Sequence, residues 1–269
     1  MKSIIRSSCI ILFSFIVKER LLPATCAAQA PGNQVINAFA LQPLKNKLHK
    51  TDSSLTVIKV LHIGDSHIKA GFFSEHFMER LNGFYSQKFK NNLFFSFQVF
   101  CKIGTKYADY AELAELDDQL MRDKPDLVII SLGTNDAFSG SSRVRFSEKI
   151  DHLVQKVKTL SPQSSILLTT PSDALKMNAL AGTYMELPEL QYVVNEIIKY
   201  ANDHSLACWN LYQVMGGPYS VNTWFQKKMA APDRIHFTAK GYTMFADWLF
   251  DSFTACMESR VSLPFNIHY

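Results

Sequence analysis

The chain has 269 residues, 47% of them hydrophobic and 19% charged, with a formal net charge of +4. That balance supports a sizeable packed core and excludes a globally disordered chain. Without residues 1–30 the chain keeps 24 basic and 23 acidic residues, so it lacks the basic surplus that neutralises nucleic-acid phosphates, and no nucleic-acid partner is expected.

Lys2 and Arg6 precede an apolar run, Cys9 to Val17, which has signal-peptide length and falls short of the roughly 20 residues that span a bilayer. Lys18-Glu19-Arg20 interrupts the pattern, and Ala28-Gln29-Ala30 then fits a small-x-small cleavage site. Residues 1–30 are therefore expected to be a signal peptide, and the mature chain to be secreted or periplasmic, with no stable membrane span. Cys9 and Cys26 fall inside that segment. Cys101, Cys208 and Cys256 are scattered, with no C-x-x-C spacing. They are expected to be small buried hydrophobes rather than a disulfide framework or metal ligands, and no metal site is expected.

Residues 31–54 are polar and mixed and read as an N-terminal lead-in to a domain over 55–269. Predicted strands follow at Val57–Ile63, Phe94–Phe100, Leu127–Leu132, Ile166–Thr170 and Leu206–Leu211. Each is short, rich in branched or aromatic residues and almost continuously apolar, as suits strands buried on both faces of a parallel sheet. Helical patterns lie near 74–90, 109–122, 143–160, 189–204 and 239–255. The alternation predicts an α/β class fold, a three-layer α/β/α sandwich around a mainly parallel five-stranded sheet, with right-handed crossovers.

Ligands of an open parallel sheet bind beyond the carboxyl ends of its strands. The segments there are Gly64-Asp65-Ser66-His67, Gly104-Thr105, Gly133-Thr134-Asn135-Asp136 and Pro171-Ser172-Asp173. Ser66 sits at a strand-to-helix turn, a position that holds a hydroxyl out at the sheet edge. A serine hydroxyl needs a base to become a nucleophile. Asp233 and His236 are three positions apart in APDRIHF, just ahead of Thr238, which reads as the N-cap of the last helix. On one loop, such a carboxylate can orient the imidazole and stabilise its protonated form. Asn135 carries a side-chain amide suited to a developing oxyanion, and backbone N–H groups at Ser66 and Gly104 could add to it. Asp65 and Asp136 read as loop ties. His62 lies within a strand and reads as a core residue.

Taken together, Gly64-Asp65-Ser66, Gly104, Gly133-Thr134-Asn135-Asp136 and Asp233-x-x-His236 resemble the four blocks of the SGNH (GDSL-type) hydrolase superfamily, in the same order and with similar separations, across residues 57 to 245. His67 replaces the leucine of the GDSL name. The Gly-Asp-Ser-His form resembles a branch that includes peptidoglycan O-acetylesterase-like proteins, as do Met215-Gly216-Gly217 and Trp224 ahead of the last block. Lys102-Ile103-Gly104-Thr105 has one glycine where many relatives have two.

The resemblance implies a flavodoxin-like fold and a serine esterase without metal or organic cofactor. Its triad would be Ser66, Asp233 and His236, and its oxyanion hole the Ser66 and Gly104 amides with the Asn135 side chain. The implied substrate is an acylated carbohydrate or small ester, with an acetyl group on a cell-envelope polymer such as peptidoglycan favoured. A lipid esterase or thioesterase, a carbohydrate O-acetyltransferase and a non-catalytic carbohydrate-binding module are the alternatives. His67, Tyr107 and Trp224, with Tyr110, are candidate substrate-binding residues, each with core or rim packing as its alternative role.

Overall fold

The computed structural model describes residues 32–50, 55–140 and 145–259; the expected signal peptide lies outside them. The described residues include eight strands: β1 (Val35–Ile36), β2 (Thr56–Gly64), β3 (Leu93–Cys101), β4 (Leu127–Ser131), β5 (Ser165–Thr169), β6 (Leu175–Asn178), β7 (Thr183–Glu186) and β8 (Ala207–Trp209). Six of them form one sheet in the order β1-β8-β5-β4-β2-β3. Its pairings are parallel except for β1, which runs antiparallel to β8.

The strands alternate their side chains between two apolar layers, as the period of two requires. On β2 and β4, Ile58, Val60, Leu127 and Ile129 join one layer, while Leu61, Ile63, Val128 and Ile130 join the other. The first layer is closed by helices Gln42–His49, Phe72–Lys88 and Ala239–Glu258, and the second by Ala114–Asp123, Phe146–Leu160 and Leu190–Asp203. The sandwich is the predicted one.

The details differ from the sequence reading in four places. The lead-in is part of the fold: Val35–Ile36 adds an edge strand to the predicted five, and Leu41, Leu44 and Leu48 are buried. Its exposed polar residues mask this short apolar face. The helix expected over 109–122 is broken into Tyr107–Ala111 and Ala114–Asp123, with Leu113 extended between them. β8 ends at Trp209 because the Asn210 side chain accepts from the Gln213 amide and caps the turn Leu211–Val214. Finally, β6 and β7 form an antiparallel hairpin outside the main sheet. Among the described residues no helix is long and apolar enough to cross a membrane. Cys101, Cys208 and Cys256 are free thiols; Cys208 is buried, and the other two are half-buried.

Candidate active site

The strand register sets one functional edge. Cys101 pairs with Gly64, Gly64 with Ser131, Ser131 with Thr169 and Thr169 with Trp209. Five strands therefore end level, and the turns that follow share one rim.

At the end of β2, Gly64 is required by space, since a Cβ there would stand 2.1 Å from Ile68 Cγ1. Buried Asp65 accepts the His67 amide on Oδ1 at 3.0 Å and caps the turn Ser66–Lys69. Ser66 opens that turn, so its N–H has no partner within the helix. The Tyr110 hydroxyl donates to the Gly64 carbonyl at 2.5 Å and accepts the Lys102 amide at 2.8 Å. It thereby ties the Gly104 turn to the Ser66 turn. Gly104 has φ +77° and is exposed, with open space where a side chain would be.

The last block is a closed loop. Ala230 and Phe237 form an antiparallel bridge, and the Ala231 amide donates to the His236 carbonyl at 2.8 Å. Thr238 caps the final helix as expected, accepting from the Gly241 amide. The loop brings Asp233 and His236 together and lays the imidazole beside Ser66. Ser66 Oγ donates to His236 Nε2 at 2.9 Å, and His236 Nδ1 donates to Asp233 Oδ2 at 2.8 Å. Asp233 Oδ1 also accepts the Ile235 and His236 amides, each at 3.0 Å. Partial burial pulls the Asp233 carboxyl upward, but these hydrogen bonds, led by the one from the His236 ring, hold it below the usual carboxylate range. The side chains of His236 and Asp233 are 40% and 46% exposed, so the pair is open to solvent and to a bulky substrate.

Asn135 stands on the neighbouring turn, Thr134–Phe138. Gly133 starts it at φ +120°, hemmed in by Val193, Pro171 and Ile197. Both hydrogens of Asn135 Nδ2 are engaged, one on Asp65 Oδ2 at 3.0 Å and one on the Thr105 carbonyl at 3.1 Å. The sequence marks this amide as suited to an oxyanion; the fold gives it structural partners as well. Asp136 is a loop tie as expected: its buried carboxylate accepts the Tyr107 amide, and burial pushes its pKa up to about 6.

Three candidate substrate contacts belong to the core instead. Tyr107 is fully buried against Phe146, and Tyr110 is buried in the tie already described. Trp224 is 4% exposed, donates its indole N–H to the Met215 carbonyl and packs among Phe237, Phe245 and Trp248. Large aromatic surface is better accommodated in these layers than at a wet rim. His67 is near the site: its ring centroid lies 5.1 Å from that of His236, and its Nδ1 is 3.2 Å from the Tyr242 hydroxyl. Its Nε2 is buried without a partner, and burial lowers its pKa. The sequence reading missed Tyr242 and Arg234, although both lie within or beside the last block.

The layered sheet and this rim define an α/β fold with its polar groups gathered at the strand ends. Among solved structures it is similar to a peptidoglycan O-acetylesterase (TM-score 0.72, 16% identity, covering 84% of this chain and 99% of that one). It is also similar to an acetyl xylan esterase (TM-score 0.56, 20% identity, 72% and 99% covered). A two-domain esterase active on acetylated mannans is matched at TM-score 0.60 and 18% identity, over 84% of this chain and 56% of that one. No curated protein sequence matches the chain. The model of the GDSL-like lipase/acylhydrolase family matches residues 63–244. The chain belongs to that family, and is a serine ester hydrolase.

Proposed function

We propose that the protein removes acetyl groups from a cell-envelope carbohydrate such as O-acetylated peptidoglycan, using Ser66, His236 and Asp233 as its triad. The observation that carries this reading is the continuous hydrogen-bond chain from Ser66 Oγ through His236 to Asp233. In the first step Ser66 Oγ attacks the ester carbonyl carbon while His236 Nε2 takes the hydroxyl proton. Asp233 holds the ring in the tautomer that accepts at Nε2 and stabilises the imidazolium. The carbonyl oxygen becomes an oxyanion, held by the Ser66 and Gly104 amides and by Asn135. For Asn135 to contribute, the substrate oxygen must share or replace the Thr105 carbonyl, since the carboxylate of Asp65 is the stronger acceptor of the two. The bond to the sugar oxygen then breaks as His236 returns its proton to that oxygen. Water, activated by the same imidazole, hydrolyses acetyl-Ser66 to acetate.

The exposure of the rim suits a bulky polymer bearing a small acyl group. The named activities of the similar structures, on acetylated peptidoglycan, xylan and mannan, support the same choice. The N-terminal signal pattern supports export to where envelope polymers are. The test is turnover of p-nitrophenyl acetate by wild type and Ser66→Ala, with a loss of kcat on the order of a thousandfold or more expected. Unchanged turnover in Ser66→Ala overturns the triad. Mass spectrometry of O-acetylated peptidoglycan before and after treatment tests the substrate. Retained acetyl groups together with cleavage of long acyl esters overturn that assignment.

A further inference from the structure

Arg234 lies between Asp233 and His236, yet it makes no ion pair with Asp233, whose two oxygens are taken by the His236 ring and by the backbone. Its guanidinium is instead held by aromatic faces, with Cζ 3.2 Å from the Phe225 ring centroid and 5.0 Å from that of Tyr184. Its Nε donates to Asn222 Oδ1 at 3.2 Å. Its backbone has φ +59°, a conformation that costs a non-glycine residue energy and persists only where surroundings impose it.

Those surroundings are two elements that contribute nothing else to the triad. From the hairpin of β6 and β7, the Leu175 amide donates to the Arg234 carbonyl at 3.0 Å, and the Tyr184 hydroxyl donates to the Pro232 carbonyl at 2.6 Å. Asn222 and Phe225 come from the helix Ser220–Gln226. The hairpin and that helix are themselves joined where buried Asp173, two residues before β6, accepts the Val221 amide at 3.0 Å. The loop carrying Asp233 and His236 is thus gripped from two sides, through the Arg234 side chain and through the carbonyls of Pro232 and Arg234.

We propose that Arg234 is a positioning residue: clamped between Phe225, Tyr184 and Asn222, it holds the Asp233–His236 loop in register with Ser66, and the hairpin 175–186 serves as its brace. This rests on the triad reading above. The clamp does two things. It fixes the strained turn that aims the imidazole at Ser66 Oγ. It also keeps a mobile cation away from the Asp233 carboxylate, which would otherwise be drawn from the imidazole to the guanidinium.

The experiment is a double-mutant cycle on p-nitrophenyl acetate. Arg234→Ala is expected to lower kcat about 30-fold with KM within about twofold, because a small misplacement of a reacting group costs up to about a hundredfold. Arg234→Lys is expected to resemble Arg234→Ala, since an ammonium lacks the flat face and the Nε donor. In a His236→Ala background the Arg234→Ala substitution is expected to cost less than about twofold, because the imidazole it aims is gone. An equal loss in both backgrounds, or a wild-type kcat in Arg234→Ala, overturns the proposal. If Arg234→Ala loses its cooperative melt, the same cycle with Asn222→Ala, which removes the acceptor of the Arg234 Nε–H, decides by the same criteria, with about a threefold loss expected in the wild-type background. A Ser66→Ala control that keeps full activity overturns the triad reading and this proposal with it; an inactive Ser66→Ala with an additive cycle overturns only the proposal.

Discussion

Among the described residues are two serine–histidine chains of almost the same length, and only one has the carboxylate partner that the proposed chemistry needs. At the rim, His236 joins Ser66 at 2.9 Å and Asp233 at 2.8 Å. Inside the sandwich, His62 joins Ser131 Oγ at 2.8 Å through Nε2 and Ser74 Oγ at 2.8 Å through Nδ1, and Thr169 donates to Ser131 at 2.9 Å. The distances do not separate the two. The third partner and the solvent do. The ring partners of His62 are neutral hydroxyls, and its complete burial pushes its pKa down to about 3. An imidazolium there would be desolvated with no counter-charge, so this ring cannot take up a serine proton in the working pH range. His236 is partly exposed and backed by a carboxylate held in its charged form.

The comparison breaks first at the carboxylate. Asp233→Asn keeps the shape of the rim but makes the His236 chain resemble the His62 chain, with a neutral third group. A fall in kcat of about ten-thousandfold on an acetyl ester is expected, with an unchanged melting profile as the control. A fall of less than tenfold would mean that the carboxylate is not what distinguishes the two sites.

Acid should separate them next. His62 has its pKa depressed in the folded chain, so below about pH 6.5 the unfolded chain binds a proton that the native one refuses. Its contribution to stability is therefore complete above pH 6.5 and is lost as pH falls toward about 3, by on the order of 4 kcal/mol at the acid end. Denaturant titrations of wild type and His62→Gln across that window should show a shallower acid decline in the variant. Parallel curves would count against the buried neutral ring.

Asn135→Ala tests the rim from the oxyanion side. A loss of about a hundredfold in kcat, with KM little changed, is expected from removing one such donor. Because the same amide also bridges Asp65 and Thr105, a matching fall in melting temperature with intact kcat would assign Asn135 to the scaffold alone.

How much of this can be read from the chain depends on whether a feature is local. Strands β2, β4 and β5 are legible because burial on both faces leaves runs such as VLHI and LVII with no polar face to confuse them. The hairpin of β6 and β7 is not, since LKMN and TYME are short, largely exposed and bury only Leu175. Ser66, Asp233 and His236 are legible because the proposed chemistry needs those residue types just beyond strand ends or before a helix cap. Arg234 carries no such mark: its role depends on Tyr184 and Phe225, whose approach follows from the tertiary fold. The same reason explains Tyr107 and Trp224, for which an aromatic near a motif in sequence says nothing about which layer the ring enters.

The smallest expected effect is the sharpest contrast. Ser131→Ala removes the hydroxyl between His62 and Thr169, and leaving a buried partner unsatisfied costs about 1–3 kcal/mol of stability. Ser131 ends β4 at the level where β2 delivers Gly64, so it is close to the rim in the sheet while belonging to the interior chain. If the two chains are independent, Ser131→Ala melts earlier but turns over acetyl ester within about twofold of wild type, whereas Ser66→Ala melts normally and turns over almost nothing. A large loss of kcat in Ser131→Ala would require the interior chain to communicate with the edge, for which the hydrogen bonds of His62 provide no direct link: they end at Ser74 on one side and at Thr169 on the other.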